Sequence, residues 1–341
     1  MKILLLQLKR IGDLILTTPV VAALRESFPD IQLTIAVSSE CADLLPAIPN
    51  VDRTLIARRN PHDLALFFSV TVSRFDYCID FTGNDRTALL AFLSGARKCV
   101  ASYRVRKQSK MRATAYTDFV RVRMRDTHTI DYNLTLLEPL GARAPASRAP
   151  HLHLPQIAHE KADALRRDWK ITGPYVVLHP GSARREKLWE PGRWAEVINH
   201  FGRNSGMELV LTSGPSPDEQ AHIAAIKNKV QQQVIDLSGK TNLLALAALV
   251  SQARLLVTVD SAPMHLAAAT RTPQVVLFGP TNPFHWRPRE SPAHILQGTS
   301  AVPVTEFSSV QPRFAMSQIS TGTVISAMDS LLSLCAAAQS S

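Results

Sequence analysis

Seven short apolar runs, each bounded by polar or turn residues, constrain the fold of this chain more than any other feature of its sequence. They lie at 3–8, 33–37, 77–81, 176–179, 209–212, 255–259 and 275–278. Runs of this length that are apolar throughout are typical of parallel strands buried on both faces. Helical patterns separate them, for example at 16–28 and 243–252. This alternation predicts an α/β fold with a doubly wound parallel sheet.

The domain organisation follows from the length and from one proline-rich segment. A chain of 341 residues suits two domains. The segment 144–155 carries three prolines and interrupts the α/β pattern, as an interdomain linker does. We therefore predict two Rossmann-like domains that face each other across a cleft, at 1–155 and 156–320. The remaining segment, 321–341, is predicted to be a packing helix and a tail.

Positive charge is concentrated in one part of the predicted first domain. The chain has 38 Lys and Arg against 28 Asp and Glu, a formal net charge of +10. The stretch 97–125 alone holds ten basic residues, with Asp118 as its one acidic residue. Such a field favours a polyanionic partner or an anionic membrane surface. The alternative is a solvated basic surface with no partner.

The cysteines and the apolar segments indicate the cellular setting. Cys41, Cys78, Cys99 and Cys335 lie far apart, without the spacing of a zinc site or a disulfide framework. The N-terminal apolar run is too short for a signal peptide, and no window reaches 18 apolar residues without charge. We expect a cytoplasmic protein whose contact with a bilayer, if it has any, is peripheral.

The turn after the first predicted strand is the first candidate site. The run 9–19 contains one glycine, Gly12, and matches neither the dinucleotide-binding nor the P-loop pattern. Asp13 follows Gly12 at the carboxyl end of the strand, where α/β folds bind ligands. Its carboxylate suits a general base toward a hydroxyl group. A helix N-cap is the equally weighted alternative.

A second candidate turn follows the predicted strand at 176–179. Gly181 lets the backbone approach a ligand closely. Lys187 lies farther along the same loop, where its ammonium group suits a phosphate. A solvated loop lysine is the alternative interpretation.

The most specific local pattern starts at residue 255. A buried strand ends at Asp260, Ser261 stands at a capping position, and Pro263 opens an alanine-rich helix. The N-terminus of such a helix offers free N–H groups to an anion such as a diphosphate. His265 lies in its first turn, with a structural histidine as the alternative role.

These motifs together resemble the ADP-heptose:lipopolysaccharide heptosyltransferases of glycosyltransferase family 9. The resemblance rests on KRIGDLILTTP from Lys9, KLW from Lys187, VDSAPMHLAAA from Val259 and FGPTNP from Phe278. The DSAPxH form and the FHWRP run at Phe284 are most similar to the heptosyltransferase III branch. The motifs cover nearly the whole chain in the family's order.

The resemblance implies a GT-B fold and an inverting, metal-independent transfer from ADP-heptose, with no cofactor. Asp13 then matches the catalytic base, and Lys187 the lysine that steadies the donor diphosphate. Ser261 and Ala262 replace the commoner Thr and Gly of the donor loop. The implied donor-binding residues are Gly12, Gly181, Ser182, Ser213, Gly214, Glu219, Lys240, Thr241, Asp260, Ser261, Ala262 and His265.

The resemblance also gives the basic stretch a role. The N-terminal domain is expected to receive an anionic lipopolysaccharide inner core and to hold the protein at the inner leaflet. Its predicted acceptor-binding residues are Arg10, Arg58, Arg104, Arg106, Lys107, Lys110 and Arg112, with Arg59 as a further candidate. Two alternatives are a family 9 transferase for another sugar or a protein acceptor, and a basic nucleic-acid-binding protein. Sparse aromatic residues in the basic stretch argue against the latter.

Overall fold

The structure is a computed structural model that describes residues 1–58 and 63–339. It divides the chain into two compact units, Met1–His153 and Leu154–Ser341. Within the described ranges, none of the helices is both long and apolar enough to cross a membrane.

The first unit is built on a parallel six-stranded sheet of order β3-β2-β1-β4-β5-β6. The strands are β1 (Lys2–Gln7), β2 (Gln32–Ser38), β3 (Arg53–Ala57), β4 (Tyr77–Asp80), β5 (Lys98–Ser102) and β6 (Asp118–Val120). The central strand β1 is apolar and buried from Ile3 to Leu6, because helices cover both faces of the sheet.

Seven helices surround this sheet within the described residues. They are α1 (Ile11–Ile15), α2 (Thr18–Ser27), α3 (Leu64–Ser73), α4 (Asp85–Leu93), α5 (Tyr103–Gln108), α6 (Lys110–Ala113) and α7 (Thr129–Thr135). The helix predicted at 16–28 begins later, at Thr18, and a separate short helix precedes it. The break has a local cause, since Pro19 lies in the first turn of α2 and has no N–H to continue the preceding helix.

The second unit repeats the same topology. Its parallel sheet has the order β12-β11-β10-β7-β8-β9. The strands are β7 (Tyr175–His179), β8 (Glu208–Leu211), β9 (Ile235–Asp236), β10 (Leu255–Val259), β11 (Gln274–Phe278) and β12 (Ala293–Gln297). The predicted α/β class with doubly wound parallel sheets is therefore confirmed. The facing arrangement and the cleft stay predictions.

The helices of the second unit cover both faces of its sheet. They are α8 (Gln156–Asp168), α9 (Pro191–Asn204), α10 (Pro217–Lys227), α11 (Leu243–Ser251), α12 (Ala262–Thr270), α13 (Pro283–Trp286) and α14 (Thr321–Gln339). The final helix, α14, buries Val324, Met328 and Leu331 in the same core as Trp189 and Trp194. It is thus part of the second unit's core.

The proline-rich segment before the second unit is fixed to the first. The N–H of His151 donates to Thr18 Oγ1 at 2.9 Å, and the N–H of His153 donates to the carbonyl of Ala47 at 2.9 Å. The boundary between the two units lies immediately after these contacts, between His153 and Leu154.

The order of the strands determines where the candidate site residues lie in each unit. In the first sheet the order reverses between β1 and β4, and in the second between β7 and β10. In open α/β sheets ligands bind beyond the carboxyl ends of the strands at such a switch point. Asp13 follows β1, and Asp260 follows β10. The two strongest sequence candidates therefore each lie at the switch point of their own unit, Asp13 after its first strand and Asp260 after its fourth.

Candidate active site

Asp13 lies in the first turn of α1 and is not its N-cap. Arg10 occupies the N-cap position, so the capping interpretation of Asp13 was wrong. The side chain of Asp13 is 15% exposed, and Lys9 Nζ lies 4.0 Å from its Oδ1. Burial raises the pKa of the Asp13 carboxyl, while Lys9 and the backbone N–H of Arg10 oppose the rise. A carboxylate with a raised pKa is a better proton acceptor at neutral pH.

A buried hydrogen-bond network holds the backbone at Asp13. Thr17 Oγ1 donates to the Asp13 carbonyl at 2.8 Å, and Gln7 Nε2 donates to Thr17 Oγ1 at 2.8 Å. Asn133 Nδ2, from α7, donates to the carbonyl of Leu16 at 3.3 Å. Because Gln7 and Thr17 are buried, their bonds keep the backbone of α1 in a fixed position.

A second carboxyl group, which sequence reasoning missed, lies at the same switch point. Asp80 ends β4 and accepts hydrogen bonds from the N–H of Thr82 at 2.7 Å, the N–H of Gly83 at 3.0 Å and the Tyr116 hydroxyl at 2.5 Å. Burial raises the pKa of Asp80, against these bonds. The signal in the sequence was an acidic residue at the end of an apolar run.

A small cavity lies beside Asp80 in the first unit. Two cations reach it: Lys9 from the loop after β1, and Arg104 from α5. Gly83, Ser102 and Tyr132 also line it. Lys9 was missed in the sequence, although it adjoins the predicted Arg10. The cavity, of about 20 Å³, therefore brings the positive groups Lys9 and Arg104 close to hydrogen-bonding groups and to the Asp80 carboxyl group.

The structure separates the basic stretch into residues with different surroundings. The cluster from Arg104 to Arg112 lies on the short helices α5 and α6. The Arg106 guanidinium lies over the Phe119 ring at 5.5 Å, and Lys107 Nζ lies 5.6 Å from the Tyr103 ring centre. Arg112 forms an ion pair with Asp85. Arg104 alone of these four lines the cavity.

The remaining predicted acceptor residues lie at the surface of the first unit. Arg10, Arg58 and Lys110 are exposed. Arg59 lies outside the described residues. Gly12, predicted for the donor, precedes Asp13 within α1 and thus belongs to the first unit as well.

In the second unit, Lys187 and Asp260 form a buried ion pair at the switch point. Lys187 Nζ lies 2.6 Å from Asp260 Oδ2 and donates to the Asp260 carbonyl at 3.2 Å. The two side chains are 13% and 8% exposed, so Lys187 is no solvated loop lysine. Thr281 Oγ1 donates to the same Oδ2 at 2.5 Å. Thr281 was missed as a site residue, although it lies in the FGPTNP run after β11.

The loop after Asp260 leads directly into α12. Ser261 has the extended backbone of an N-cap but makes no capping hydrogen bond, contrary to expectation. Its Oγ lies 3.2 Å from Thr258 Oγ1 instead. Ala262 is the first residue of the helix and is half-buried, and Pro263 follows it. The Ser261 side chain does not cap α12, but Pro263 has no N–H and the Met264 N–H donates to the Ser261 carbonyl at 3.2 Å. The first turn therefore attracts an anion mainly through the Ala262 N–H and the helix dipole.

Two histidines at this switch point are held neutral. Burial lowers the pKa of His265 to about 4. The negative charge of Asp260 opposes this decrease, and the positive charge of Lys187 adds to it. Burial also lowers the pKa of His179 to about 4, and its Nδ1 lies 2.9 Å from Thr212 Oγ1. Among the described residues, His265 Nδ1 has no hydrogen-bond partner. A neutral imidazole with a free nitrogen can bind a sugar hydroxyl or a phosphate oxygen.

The Glu219 carboxylate contacts both the loop after β7 and the loop after β8. Glu219 lies in the first turn of α10, where it accepts a hydrogen bond from Ser216 Oγ at 2.8 Å. Its carboxylate lies so close to Gly181 and Gly214 that a Cβ at either position would overlap it. A side chain at either glycine would therefore displace the Glu219 carboxylate from this position.

The other predicted donor residues are spread along the carboxyl ends of the strands. Ser182 and Ser213 are buried, and Ser213 Oγ accepts a hydrogen bond from Gln220 Nε2 at 3.1 Å. Lys240 lies after the edge strand β9, and Thr241 follows it half-buried. Lys240 Nζ binds the Asp236 carbonyl at 2.8 Å and lies 3.7 Å from the Trp169 ring centre. A ligand must compete with these partners for the Lys240 charge.

The site offers no obvious cage for a metal ion. Across residues 1–58 and 63–339, no group of three or more His, Cys, Asp or Glu side chains is arranged to hold one. The positive groups at the second switch point are the Lys187 ammonium and the N-terminus of α12.

Comparison with known proteins identifies the family. The model of "Glycosyltransferase family 9 (heptosyltransferase)" matches residues 64–311, more than half of the chain. The chain belongs to glycosyltransferase family 9. The resemblance predicted from the motifs is confirmed, and with it the assignment as a glycosyltransferase.

Individual relatives agree with this assignment over most of their length. The chain is 29% identical to lipopolysaccharide heptosyltransferase 3 of Escherichia coli over 81% of this chain and 83% of the relative. It superposes on a family 9 glycosyltransferase from Veillonella parvula with a TM-score of 0.86 and 25% identity, over 97% of each chain. With the E. coli ADP-heptose lipopolysaccharide heptosyltransferase II the TM-score is 0.80 at 20% identity, over 98% and 99% of the chains.

Proposed function

We propose that this family 9 glycosyltransferase moves heptose from ADP-L-glycero-D-manno-heptose to the lipopolysaccharide inner core, with inversion and without a metal ion. The names of the relatives support the sugar and the acceptor class. The observation that carries the proposal is the buried Lys187–Asp260 pair beside the N-terminus of α12. The pair fixes the position of the Lys187 ammonium, and a donor diphosphate would compete with the Asp260 carboxylate for this cation beside the positive end of the α12 dipole.

In the proposed reaction the acceptor hydroxyl attacks the anomeric carbon of the donor heptose. The new C–O bond forms as the bond to the diphosphate breaks, and ADP leaves with the electron pair. Asp13 takes the proton of the attacking hydroxyl. A single displacement from the face opposite the leaving group inverts the anomeric configuration.

In this proposal, groups of the second unit stabilise the negative charge of the leaving diphosphate. Lys187 and the positive end of the α12 dipole stabilise the diphosphate as it gains charge. Asp260, held by Thr281, is a positioning residue that keeps the Lys187 ammonium in place before the donor binds. The neutral His265 adds a hydrogen bond without adding a charge.

The acceptor is proposed to bind through the first unit. Lys9 and Arg104, which come together at the small cavity, supply positive charge for a phosphate or carboxylate of the inner core. Because that core is anchored in lipid, we place the protein in the cytoplasm at the inner membrane, attracted there by its basic residues. Family membership favours this enzyme over the alternative of a nucleic-acid-binding protein.

A donor panel tests the proposal. The full chain is incubated with inner-core acceptor and, in turn, ADP-heptose, ADP-glucose, UDP-glucose and GDP-mannose, with and without EDTA. We expect product by mass spectrometry from ADP-heptose only, unchanged by EDTA, with inverted anomeric configuration by NMR. Transfer of another sugar, or loss of activity in EDTA, would contradict it. Thermal stabilisation by ADP but not by UDP supports the donor class independently.

A further inference from the structure

Three neighbouring helices of the first unit expose large apolar side chains to solvent. Phe68 and Phe92 are each 70% exposed, and Met111 is 76% exposed. The full set, which we call the apolar ridge, consists of Leu64, Phe68 and Val72 on α3, Leu89 and Phe92 on α4, and Met111 on α6.

These side chains lie on one side of the first sheet. Right-handed crossovers from β3 to β4, β4 to β5 and β5 to β6 place α3, α4 and α6 on the same face. The helices pack in this order, α3 against α4 and α4 against α6. Their inner sides bury Leu66, Val70 and Leu90 in the core beneath. The apolar ridge is therefore the outer surface of this layer.

The ridge is not the ordinary outer face of a surface helix. Such a helix normally pairs an apolar inner stripe with a polar outer face. The ten residues of α3, LALFFSVTVS, include no charged side chain, and Leu64, Phe68 and Val72 recur on the outer side at a spacing of four. Exposed apolar patches of this kind mark interaction surfaces.

Among the exposed residues that adjoin these helices in the sequence, basic residues outnumber acidic ones. Exposed basic residues flank these helices, at Arg58, Arg74, Arg97, Lys107 and Lys110. The acidic residues at the starts of α3 and α4 are already paired: Asp63 with Arg86, and Asp85 with Arg112. An apolar centre with a basic rim complements a bilayer whose headgroups are anionic.

We propose that the apolar ridge inserts into the headgroup layer of an anionic membrane and that its basic rim binds the lipid phosphates. A second copy of the chain fits this face less well, because a symmetric pair would bring the two basic rims together. The inference rests on the proposed function only in that a lipid-anchored acceptor lies in such a membrane. The proposed function includes only electrostatic attraction to the membrane, and this proposal adds insertion of apolar side chains. Salt screens the attraction but does not screen the apolar contacts.

Vesicle binding tests the insertion with the full-length protein. Phe68→Gln/Phe92→Gln removes two exposed rings, and Val302→Gln/Val310→Gln is the matched control, with side chains 66% and 85% exposed in the second unit. Vesicles of phosphatidylethanolamine and phosphatidylglycerol are compared with vesicles of phosphatidylcholine by co-sedimentation. We expect the wild type and the control to bind the anionic vesicles and the ridge variant to bind roughly tenfold more weakly.

Salt and depth measurements separate insertion from adsorption. At high salt the wild type should keep part of its binding, since apolar contacts are not screened, and the ridge variant should lose nearly all of its binding. Phe68→Trp should be quenched by brominated acyl chains more strongly than Val310→Trp. Phe68→Leu/Phe92→Leu should bind nearly as the wild type does. Equal binding of the ridge variant and the wild type at both salt concentrations would overturn the proposal.

Two further outcomes are decisive. A wild-type dimer in sedimentation velocity that the ridge variant abolishes, with vesicle binding unchanged, would assign the ridge to a second copy and overturn the proposal. Transfer to a delipidated, water-soluble acceptor should be equal for the wild type and the ridge variant. If neither the wild type nor the ridge variant transfers sugar to this acceptor while vesicle binding is as expected, the proposed function is wrong and the assignment of the ridge to a membrane is supported.

Discussion

The two units share one strand order but differ in the chemistry at their switch points. In the first unit two carboxyl groups lie there, Asp13 and Asp80, and burial raises both pKa values. In the second unit the equivalent place holds the Lys187–Asp260 pair and the neutral His265. The first arrangement suits a proton acceptor, and the second suits an anion. Under the proposed function the same fold performs two tasks, and the loop residues decide which.

The largest expected effect comes from the acid in the first unit. Asp13→Asn removes the proton acceptor but keeps the size of the side chain, so kcat should fall by roughly 10² to 10⁴. Donor affinity should stay within a few fold, because the donor is proposed to bind the second unit. Steady-state kinetics and ADP calorimetry measure both, with the exposed Asp43→Asn as the matched control. Wild-type turnover in Asp13→Asn would remove this residue from the mechanism.

The charge pair of the second unit should have the next largest effect, on binding as well as turnover. Lys187→Met should lower kcat/KM by about 10² and weaken ADP binding in calorimetry, since the diphosphate loses its fixed cation. Exposed Lys229→Met is the matched control.

The ion pair itself requires a second variant. Lys187→Met leaves the Asp260 carboxylate buried without its cation, which destabilises the fold. Lys187→Met/Asp260→Asn should recover the melting temperature but not the ADP affinity. If ADP affinity returned with stability, Lys187 would be a structural residue only.

Much of the fold could be predicted from the sequence because the central strands are apolar throughout. All seven predicted runs are strands, and four of them, β1, β4, β7 and β10, form the middle of the two sheets. The missed strands carry polar or charged residues at their ends. Examples are β3, which starts at Arg53, and β6, which starts at Asp118. Edge strands are half exposed, so their composition resembles that of loops.

The site was only partly predictable, because its contacts depend on which strands lie side by side. Lys187 and Asp260 are 73 residues apart in sequence and meet because β7 pairs with β10. Thr281 reaches Asp260 because β11 is the next strand. Asp80 reaches the switch point of Asp13 in the same way, through the pairing of β1 with β4. Periodicity finds the strands, but it does not give their order.

The units should also differ in their response to acid. His179 and His265 have folded pKa values of about 4, below the ordinary value of 6.5. Between pH 6.5 and 4 the unfolded state therefore binds more protons, and the second unit loses stability as the pH falls through this window. Near pH 5 each histidine should account for about 2 kcal/mol. The raised pKa values of Asp13 and Asp80 act in the opposite direction in the first unit.

Tryptophan fluorescence isolates the second unit, because all four tryptophans (Trp169, Trp189, Trp194 and Trp286) lie within it. Urea unfolding followed by this signal at pH 7 and pH 5 should show the loss. His179→Gln should reduce the pH dependence, and exposed His200→Gln should leave it unchanged. An equal pH dependence in His179→Gln and the wild type would show that His179 is not the buried neutral group.

The smallest expected effect sharpens the comparison within the first unit, between two arginines of one helix. Arg104 lines the cavity with Lys9, whereas Arg106 lies over the Phe119 ring. Arg104→Gln should raise the KM for the acceptor roughly fivefold to tenfold at low salt, and Arg106→Gln should raise it less. The KM for the donor should not change in either variant, and exposed Arg313→Gln is the control. The effect should shrink as salt shortens the screening length. Equal effects from Arg104 and Arg106 would mean that the acceptor senses the general basic field rather than the cavity.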